Sequence, residues 1–266
     1  RIPFVAYVGT AHSLDSNFKS KVMNALFAAG TLRIYKKNPV LAKTSAAKEE
    51  LRQLGVPHAV IAPVGLDTAV LKKNIPADEK MRLRKEHGFE ADDVILCNVS
   101  RLSWEKRPLE LIDLFLQVKG KKKFKLIIVG NGPLEEELNE KIRKNGLEKE
   151  VKIYPNVPYE KMWEIYEMSD YYLNMNKGEI FGMAIMEAVY YKTSVAAIRA
   201  LGPSVTLKDM KGHKLCENDD EMAEWITGPY PSEKDLQESS EKMASTFTWD
   251  RCADAFLQAS SEKSSR

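Results

Sequence analysis

Cysteine is scarce in this chain. Only three occur in 266 residues, Cys97, Cys216 and Cys252, far apart and odd in number. No metal-ligand spacing joins them, so a disulfide framework is excluded and each reads as a small buried hydrophobe of a reducing compartment. Histidine is equally thin: His12, His58, His87 and His213 lie apart, which argues against a zinc site. No run approaches the roughly 18 apolar residues that a membrane span needs, and no secretory signal pattern is visible. Charge of one sign is missing too. Forty Lys and Arg against 38 Asp and Glu leave +2, too balanced to point to a nucleic-acid partner. What remains is 44% hydrophobic and 29% charged, a globular composition sufficient for one large domain or two moderate ones. The chain opens on Arg1 and runs directly into a strand, so residues are expected to precede it.

The pattern along the chain is α/β. Pro3 to Val8 reads as a strand that runs into Gly9-Thr10-Ala11-His12-Ser13, a polar strand-end loop of the kind in which open sheets place ligands. His12 there would orient a hydroxyl or phosphate, or else be a solvated loop residue. Asp15 to Lys37 has helical periodicity with a basic edge at Lys19, Lys21, Lys36 and Lys37. It packs on the sheet or rests on an anionic membrane surface. A short strand Val40–Thr44, a helix capped at Ser45 and stopped at Gly55, and a strand Ala59–Ala62 follow. Thr68 to Asp93 is polar, punctuated by Pro76 and Gly88, and is the best domain boundary, with a helix over Ala77–His87.

Beyond it, strands at Val94–Val99, Phe124–Val129, Val151–Tyr154, Tyr171–Met175 and Ser194–Ile198 alternate with helices, and a last strand lies near Cys216. This alternation predicts a doubly wound parallel sheet covered on both faces. The expected division is a partial first domain over 1–75, a linker with a helix over 76–93, a second domain over 94–245, and a terminal helix over 246–266 that packs back on the first. Trp249, Ala253 and Phe256 are its expected apolar anchors.

Four strand-end motifs carry candidate chemistry. In Gly178-Glu179-Ile180-Phe181-Gly182-Met183, two glycines bracket a turn before a helix. Glu187 stands just over one turn inside it, at roughly 3.6 residues per turn. Carboxylates on both sides of a helix N-terminus suit sugar hydroxyls and a nearby anion; the plainer reading is an acidic cap and one surface glutamate. Arg101 and Lys106, at a strand-to-helix junction, form either a diphosphate clamp or a solvated basic loop. Gly130-Asn131-Gly132-Pro133 lets backbone approach a ligand but lacks the third glycine of a dinucleotide fingerprint, which disfavours a NAD-dependent oxidoreductase. Tyr154-Pro155-Asn156-Val157-Pro158 is a loop whose backbone can read a base edge, as few such loops do. Asp92-Asp93 and Asp219-Asp220 fall in polar surroundings and read as solvated.

Taken in order, these pieces resemble the carboxyl-terminal half of a GT-B glycosyltransferase, and more narrowly the retaining group known as group 1 or family 4. Its acid, seven residues, acid motif is matched by Glu179 and Glu187. The resemblance is specific in the second domain and weaker in the first, at Gly9–His12 and Pro63-Val64-Gly65-Leu66-Asp67. It implies a GT-B fold: a Rossmann-like donor domain with a truncated Rossmann-like partner. It implies that Arg101 and Lys106 hold the diphosphate of a UDP- or GDP-sugar, that Glu187 accepts from the ribose, and that Glu179 with the backbone of Phe181 and Gly182 grips the sugar. Ile180, Met183, Gly130, Gly132, Pro155, Asn156 and Val157 would line the donor, and His12 would reach it from the first domain.

The implied reaction is retaining transfer to a glycan or glycolipid acceptor in cell-envelope biosynthesis. No metal or other cofactor is expected, and the expected location is the cytoplasm, including the inner membrane face. Two departures stand out. Leu201-Gly202-Pro203-Ser204 replaces a Gly-Gly turn followed by an acidic residue, and the early Gly-rich loop is absent. They keep open a second reading, an incomplete or degenerate nucleotide-sugar-binding module that is inactive without a further segment or partner chain.

Overall fold

The computed structural model describes residues 5–8, 22 and 30–261, with side chains to residue 259. His12, its loop and most of the Asp15–Lys37 segment lie outside the described residues. The described chain divides into two units, one of residues 1–67 with 246–266 and the other of residues 68–245. The first unit's boundary thus falls at residue 67, and the whole Thr68–Asp93 segment belongs to the second unit.

The first unit holds a three-stranded parallel sheet in the order β1 (Ala6–Val8), β2 (Val40–Ala42), β3 (Val60–Ile61). Helix α1 (Ser45–Gln53) starts one residue from the sequence expectation, because the cap is Thr44, whose hydroxyl accepts from the Ala47 N–H at 3.0 Å. On one face, Ala47 and Leu51 pack with Val40, Ala42 and Val56. On the other, Leu41 and Ala62 pack with Cys252, Ala255 and Ala259 of the terminal helix (Trp249–Ser261). Of the expected anchors, Phe256 packs against this cluster, whereas Ala253 and Trp249 do not form the stripe. Ala253 is exposed and Trp249 is 48% exposed, because the i, i+3, i+7 spacing of Cys252, Ala255 and Ala259 is what meets the sheet.

The second unit is built on six parallel strands: β4 (Val94–Val99), β5 (Phe124–Val129), β6 (Val151–Tyr154), β7 (Tyr171–Asn174), β8 (Ser194–Ile198) and β9 (Lys214–Cys216). Their spatial order is β6-β5-β4-β7-β8-β9. The central strands are near-continuous apolar runs, because a parallel sheet covered by helices is buried on both faces. α2 (Glu79–Glu86) precedes them; between them lie α3 (Pro108–Val118), α4 (Glu135–Lys144), α5 (Met162–Met168), α6 (Met183–Tyr190) and α7 (Leu201–Thr206); α8 (Asp219–Thr227) and α9 (Glu233–Thr246) follow, and then, in the first unit, the terminal helix, α10. α7 holds Leu201–Ser204, the segment that departs from the family's Gly-Gly turn, and α8 begins at the Asp219-Asp220 pair read as polar and solvated. α8 forms because Asn218 caps it, accepting from the Glu221 N–H at 2.9 Å, with three acids in its first turn.

The strand order reverses between β4 and β7. Loops leaving the carboxyl ends of these two strands diverge to opposite sides and open a crevice, the place where doubly wound sheets bind ligands. Asp170, just before β7, fastens the opposite end. It accepts from Arg84 at 2.7 Å, Lys80 at 2.9 Å and the Ile95 N–H at 2.8 Å, tying α2 to both switch-point strands.

Candidate active site

Two of the predicted residues meet at that crevice. Lys106, on the 3-10 turn Trp104–Lys106 after β4, places Nζ 2.9 Å from Oε2 of Glu179, on the loop after β7. Asn176 Nδ2 donates to the same oxygen at 3.1 Å. Burial alone pushes the Glu179 carboxyl up; the bonds from Lys106 and Asn176 more than offset it and hold the group below its ordinary value. Glu179 is thus an anion at neutral pH. Arg101 lies on the same loop, exposed, and its guanidinium makes no ion pair with a described residue.

The loop that carries Glu179 is built by buried amides. Asn174 Oδ1 accepts from the Asn176 N–H at 3.0 Å, and Asn176 Oδ1 from the Gly178 N–H at 2.9 Å. Asn98 Nδ2 donates to the Leu173 carbonyl at 2.8 Å, and its Oδ1 accepts from Ser100 Oγ. These asparagines are 3 to 5% exposed, and the sequence reading misses them. The signal was an amide at the end of an apolar strand, which must find internal partners when buried. From Gly182, in the left-handed region at φ 88°, the chain enters α6. Gly202 seals this loop from the other side. Its N–H donates to the Glu179 carbonyl at 2.8 Å, and a Cβ there would come within 2.4 Å of the Phe181 nitrogen. So the glycine of Leu201-Gly202-Pro203-Ser204 serves close packing on the Glu179–Phe181 backbone. Ile180 is half-buried, Phe181 buried, and Met183 37% exposed.

Glu187 is the fifth residue of α6 and is 8% exposed, which removes the plain reading of a surface glutamate. Oε2 accepts from Tyr166 Oη at 2.8 Å and Oε1 faces Tyr159 Oη at 3.4 Å. Burial pushes its carboxyl above the ordinary value, and the two tyrosine hydroxyls offset only part of that. Tyr166 stacks on Tyr191 with centroids 5.9 Å apart, so the carboxylate stands on an aromatic floor. Helical spacing marks Tyr166 only as core, and nothing local reveals its partner.

Gly130 and Gly132 serve close backbone packing within the chain. A Cβ on Gly130 would meet the Ser100 carbonyl oxygen at 1.9 Å, and one on Gly132 the Leu102 carbonyl oxygen at 2.4 Å. They let the loop after β5 lie against the loop that carries Arg101 and Lys106, joined by the Leu102 N–H to Asn131 carbonyl bond of 2.9 Å. Asn131 Nδ2 reaches on to the Pro155 carbonyl at 3.3 Å and Asn156 Oδ1 at 2.9 Å, while Val157 is half-buried. The predicted donor-lining loops after β4, β5 and β6 therefore form one connected rim.

Of the paired acids, Asp92 and Asp220 are exposed as read, whereas Asp93 and Asp219 depart from the solvated reading. Asp219 receives both terminal nitrogens of Arg107, Nη1 at 3.1 Å and Nη2 at 2.8 Å. Asp220 accepts from Gln117 Nε2 at 2.9 Å. Asp93 is 4% exposed and accepts from the Glu90 N–H. Glu90, Asp92 and Asp93 bring carboxylate oxygens within 4.8 Å of one another, but Lys123 pairs with the first two. This cluster precedes β4, at the amino-terminal end of the strands, whereas Glu179 follows the carboxyl end of β7.

Residues 79–243 match the sequence profile of the family described as Glycosyl transferases group 1. The chain belongs to that family. Among its relatives, the D-inositol 3-phosphate glycosyltransferase of Mycobacterium avium (strain 104) is 26% identical over 288 residues, covering 95% of this chain and 63% of that protein. The alpha-monoglucosyldiacylglycerol synthase of Streptococcus pneumoniae is 24% identical over 139 residues, 52% of this chain and 32% of that protein. This group 1 chain thus spans less than two thirds of the length of these relatives. In three dimensions it resembles Anabaena Alr3699/HepE, solved in complex with UDP and glucose, with a TM-score of 0.78 at 19% identity over 99% of this chain and 72% of that one. The fold is GT-B, with two parallel-sheet, Rossmann-like units.

Proposed function

We propose that the chain is the donor-handling part of a retaining glycosyltransferase that moves a sugar from a UDP- or GDP-sugar to a glycan or glycolipid acceptor in cell-envelope biosynthesis. The observation that carries this reading is the pairing of Lys106 with Glu179 at the strand-order reversal, with the exposed Arg101 on the same loop. A diphosphate at that rim meets two cations, and as it draws Lys106 away it releases Glu179 to accept hydrogen bonds from sugar hydroxyls. Glu187 offers a carboxylate for the ribose hydroxyls, taking the place that Tyr159 Oη now holds at 3.4 Å. The departing nucleoside diphosphate gains negative charge as the anomeric bond breaks. Fixed cations aimed at that charge contribute several kcal/mol, on the scale of other preorganised electrostatic sites. With Arg101 and Lys106 in that role, the reaction needs no metal. The names of relatives, one for an inositol phosphate and one for a glucosyl diacylglycerol, support an anionic or lipid-linked acceptor.

Calorimetric titration with UDP-glucose and GDP-mannose tests the reading. The wild-type protein is expected to bind one of them, and Lys106→Ala and Glu187→Ala are each expected to weaken that binding at least about tenfold, or 1.4 kcal/mol. Unchanged affinity in both variants would remove these residues from the donor site. Binding of a donor without release of its nucleoside diphosphate, with or without acceptors, would favour the incomplete-module reading instead.

A further inference from the structure

Arg107 follows Lys106 in the chain, and none of the functional roles given above falls to it. Its backbone is in the left-handed region, at φ 55° and ψ 49°, a conformation that favours glycine and that arginine adopts only under constraint. Pro108 contributes, since the residue before a proline is disfavoured in the right-handed helical region. The side chain supplies the rest. Its guanidinium forks onto Asp219 in the first turn of α8, with Nη1 3.1 Å from Oδ1 and Nη2 2.8 Å from Oδ2. Nη1 also lies 3.4 Å from the carbonyl oxygen of Met175, the residue that opens the Glu179 loop, and Nε lies 3.4 Å from Glu110 in α3. One half-buried fork therefore touches the loop that holds Lys106, the loop that holds Glu179, and a third strand-end helix. The carboxylate of Asp219 neutralises it, so its charge does not compete with Lys106 for an anion.

We propose that Arg107 is a positioning residue: clamped by Asp219, it fixes the left-handed exit of the Trp104–Lys106 turn and so sets the direction of the Lys106 ammonium toward the donor diphosphate. The inference rests on the nucleotide-sugar reading and adds a residue to it. Glycine at position 107 tolerates the same backbone but cannot hold it, whereas Asp219→Asn leaves the arginine and removes the carboxylate that it grips. Both variants keep Lys106 itself.

The test is a pair of double-mutant cycles. UDP-glucose and GDP-mannose dissociation constants are measured by calorimetry for Arg107→Gly, Asp219→Asn, Lys106→Ala and the two double variants, with folding checked by circular dichroism. Each single change at 107 or 219 is expected to weaken donor binding about tenfold. In the Lys106→Ala background the same change is expected to cost less than about twofold, because the group being positioned is gone. Wild-type affinity in both Arg107→Gly and Asp219→Asn, or losses that add in full to that of Lys106→Ala, would overturn the proposal. If Arg107→Gly does not fold, Asp219→Asn decides alone.

Should the wild-type protein bind neither donor, the donor reading fails separately. The Lys106 methyl resonance of the reductively 13C-methylated protein, assigned with Lys106→Arg, then settles the positioning link. A shift in Asp219→Asn sustains it and an unmoved resonance ends it.

Discussion

At the scale of single residues, charge in this protein is placed by burial and pairing together. Asp170 is the clearest structural case. Its carboxylate holds Lys80, the nearly buried Arg84 and the Ile95 N–H, so its removal leaves a guanidinium enclosed without its anion. Asp170→Ala is expected to cost about 3–5 kcal/mol in urea-monitored unfolding, the usual penalty for breaking one side of a buried pair. His213 behaves oppositely. Nδ1 accepts from the Val195 N–H at 3.0 Å, and Nε2 is enclosed with no partner among the described residues. Burial lowers its pKa to about 4. Between that value and the ordinary 6.5 of histidine, the unfolded chain binds the proton and the folded one does not. Stability from this group is therefore full above pH 6.5 and is lost as the pH falls toward 4. The difference is on the order of 3 kcal/mol. His213→Asn, which keeps an acceptor for Val195, is expected to flatten that part of a stability-versus-pH curve.

At the scale of elements, the strand-end loops around the site are held by backbone packed on backbone. Gly130 and Gly132 lie under the carbonyls of Ser100 and Leu102, and Gly202 lies under Ile180 and Phe181. A methyl group at these places has nowhere to go, because the atoms it meets are main chain. Gly202→Ala is expected to lower stability by about 1–3 kcal/mol through overpacking. It is also expected to weaken donor binding, since Glu179 sits on the displaced loop, and calorimetry on the folded variant would read that. A variant that is destabilised yet binds normally would show that the Glu179 loop tolerates the shift. The same elements show why four strand-end motifs act as one rim. Asn131 links the loops after β5 and β6, Leu102 links those after β4 and β5, and Tyr159 carries the loop after β6 to Glu187.

At the scale of the whole molecule, each of the two units has its own sheet and core. In the first, the terminal helix α10 supplies Cys252, Ala255 and Ala259 against Leu41 and Ala62, so a short three-stranded sheet is closed by a segment nearly two hundred residues later in the chain. Ala255→Asp buries a carboxylate there and is expected to destabilise the first unit by about 3 kcal/mol or more. Hydrogen exchange would read the change as faster exchange at the Leu41 amide, while the Ile127 amide in β5 stays protected. Among the described residues no helix is long and apolar enough to cross a membrane.

Local pattern carried much of this protein on its own. The alternation of apolar runs with amphipathic helices is a one-dimensional property, so the parallel α/β class and most second-unit strands were legible. So were the paired glutamates and the basic pair at strand ends, because strand-end loops are recognisable by turn residues. Tertiary structure decided the rest. Only the sheet order brings Lys106 to Glu179 across 73 positions, and only burial distinguishes Glu187 from a surface acid. The partners of Arg107 and Asp170, the Thr44 cap over Ser45, and the helices at 201 and 219 likewise depend on contacts that spacing does not encode. A sequence states which groups a chain has; their ionisation and direction are set by neighbours that meet only when the sheet forms.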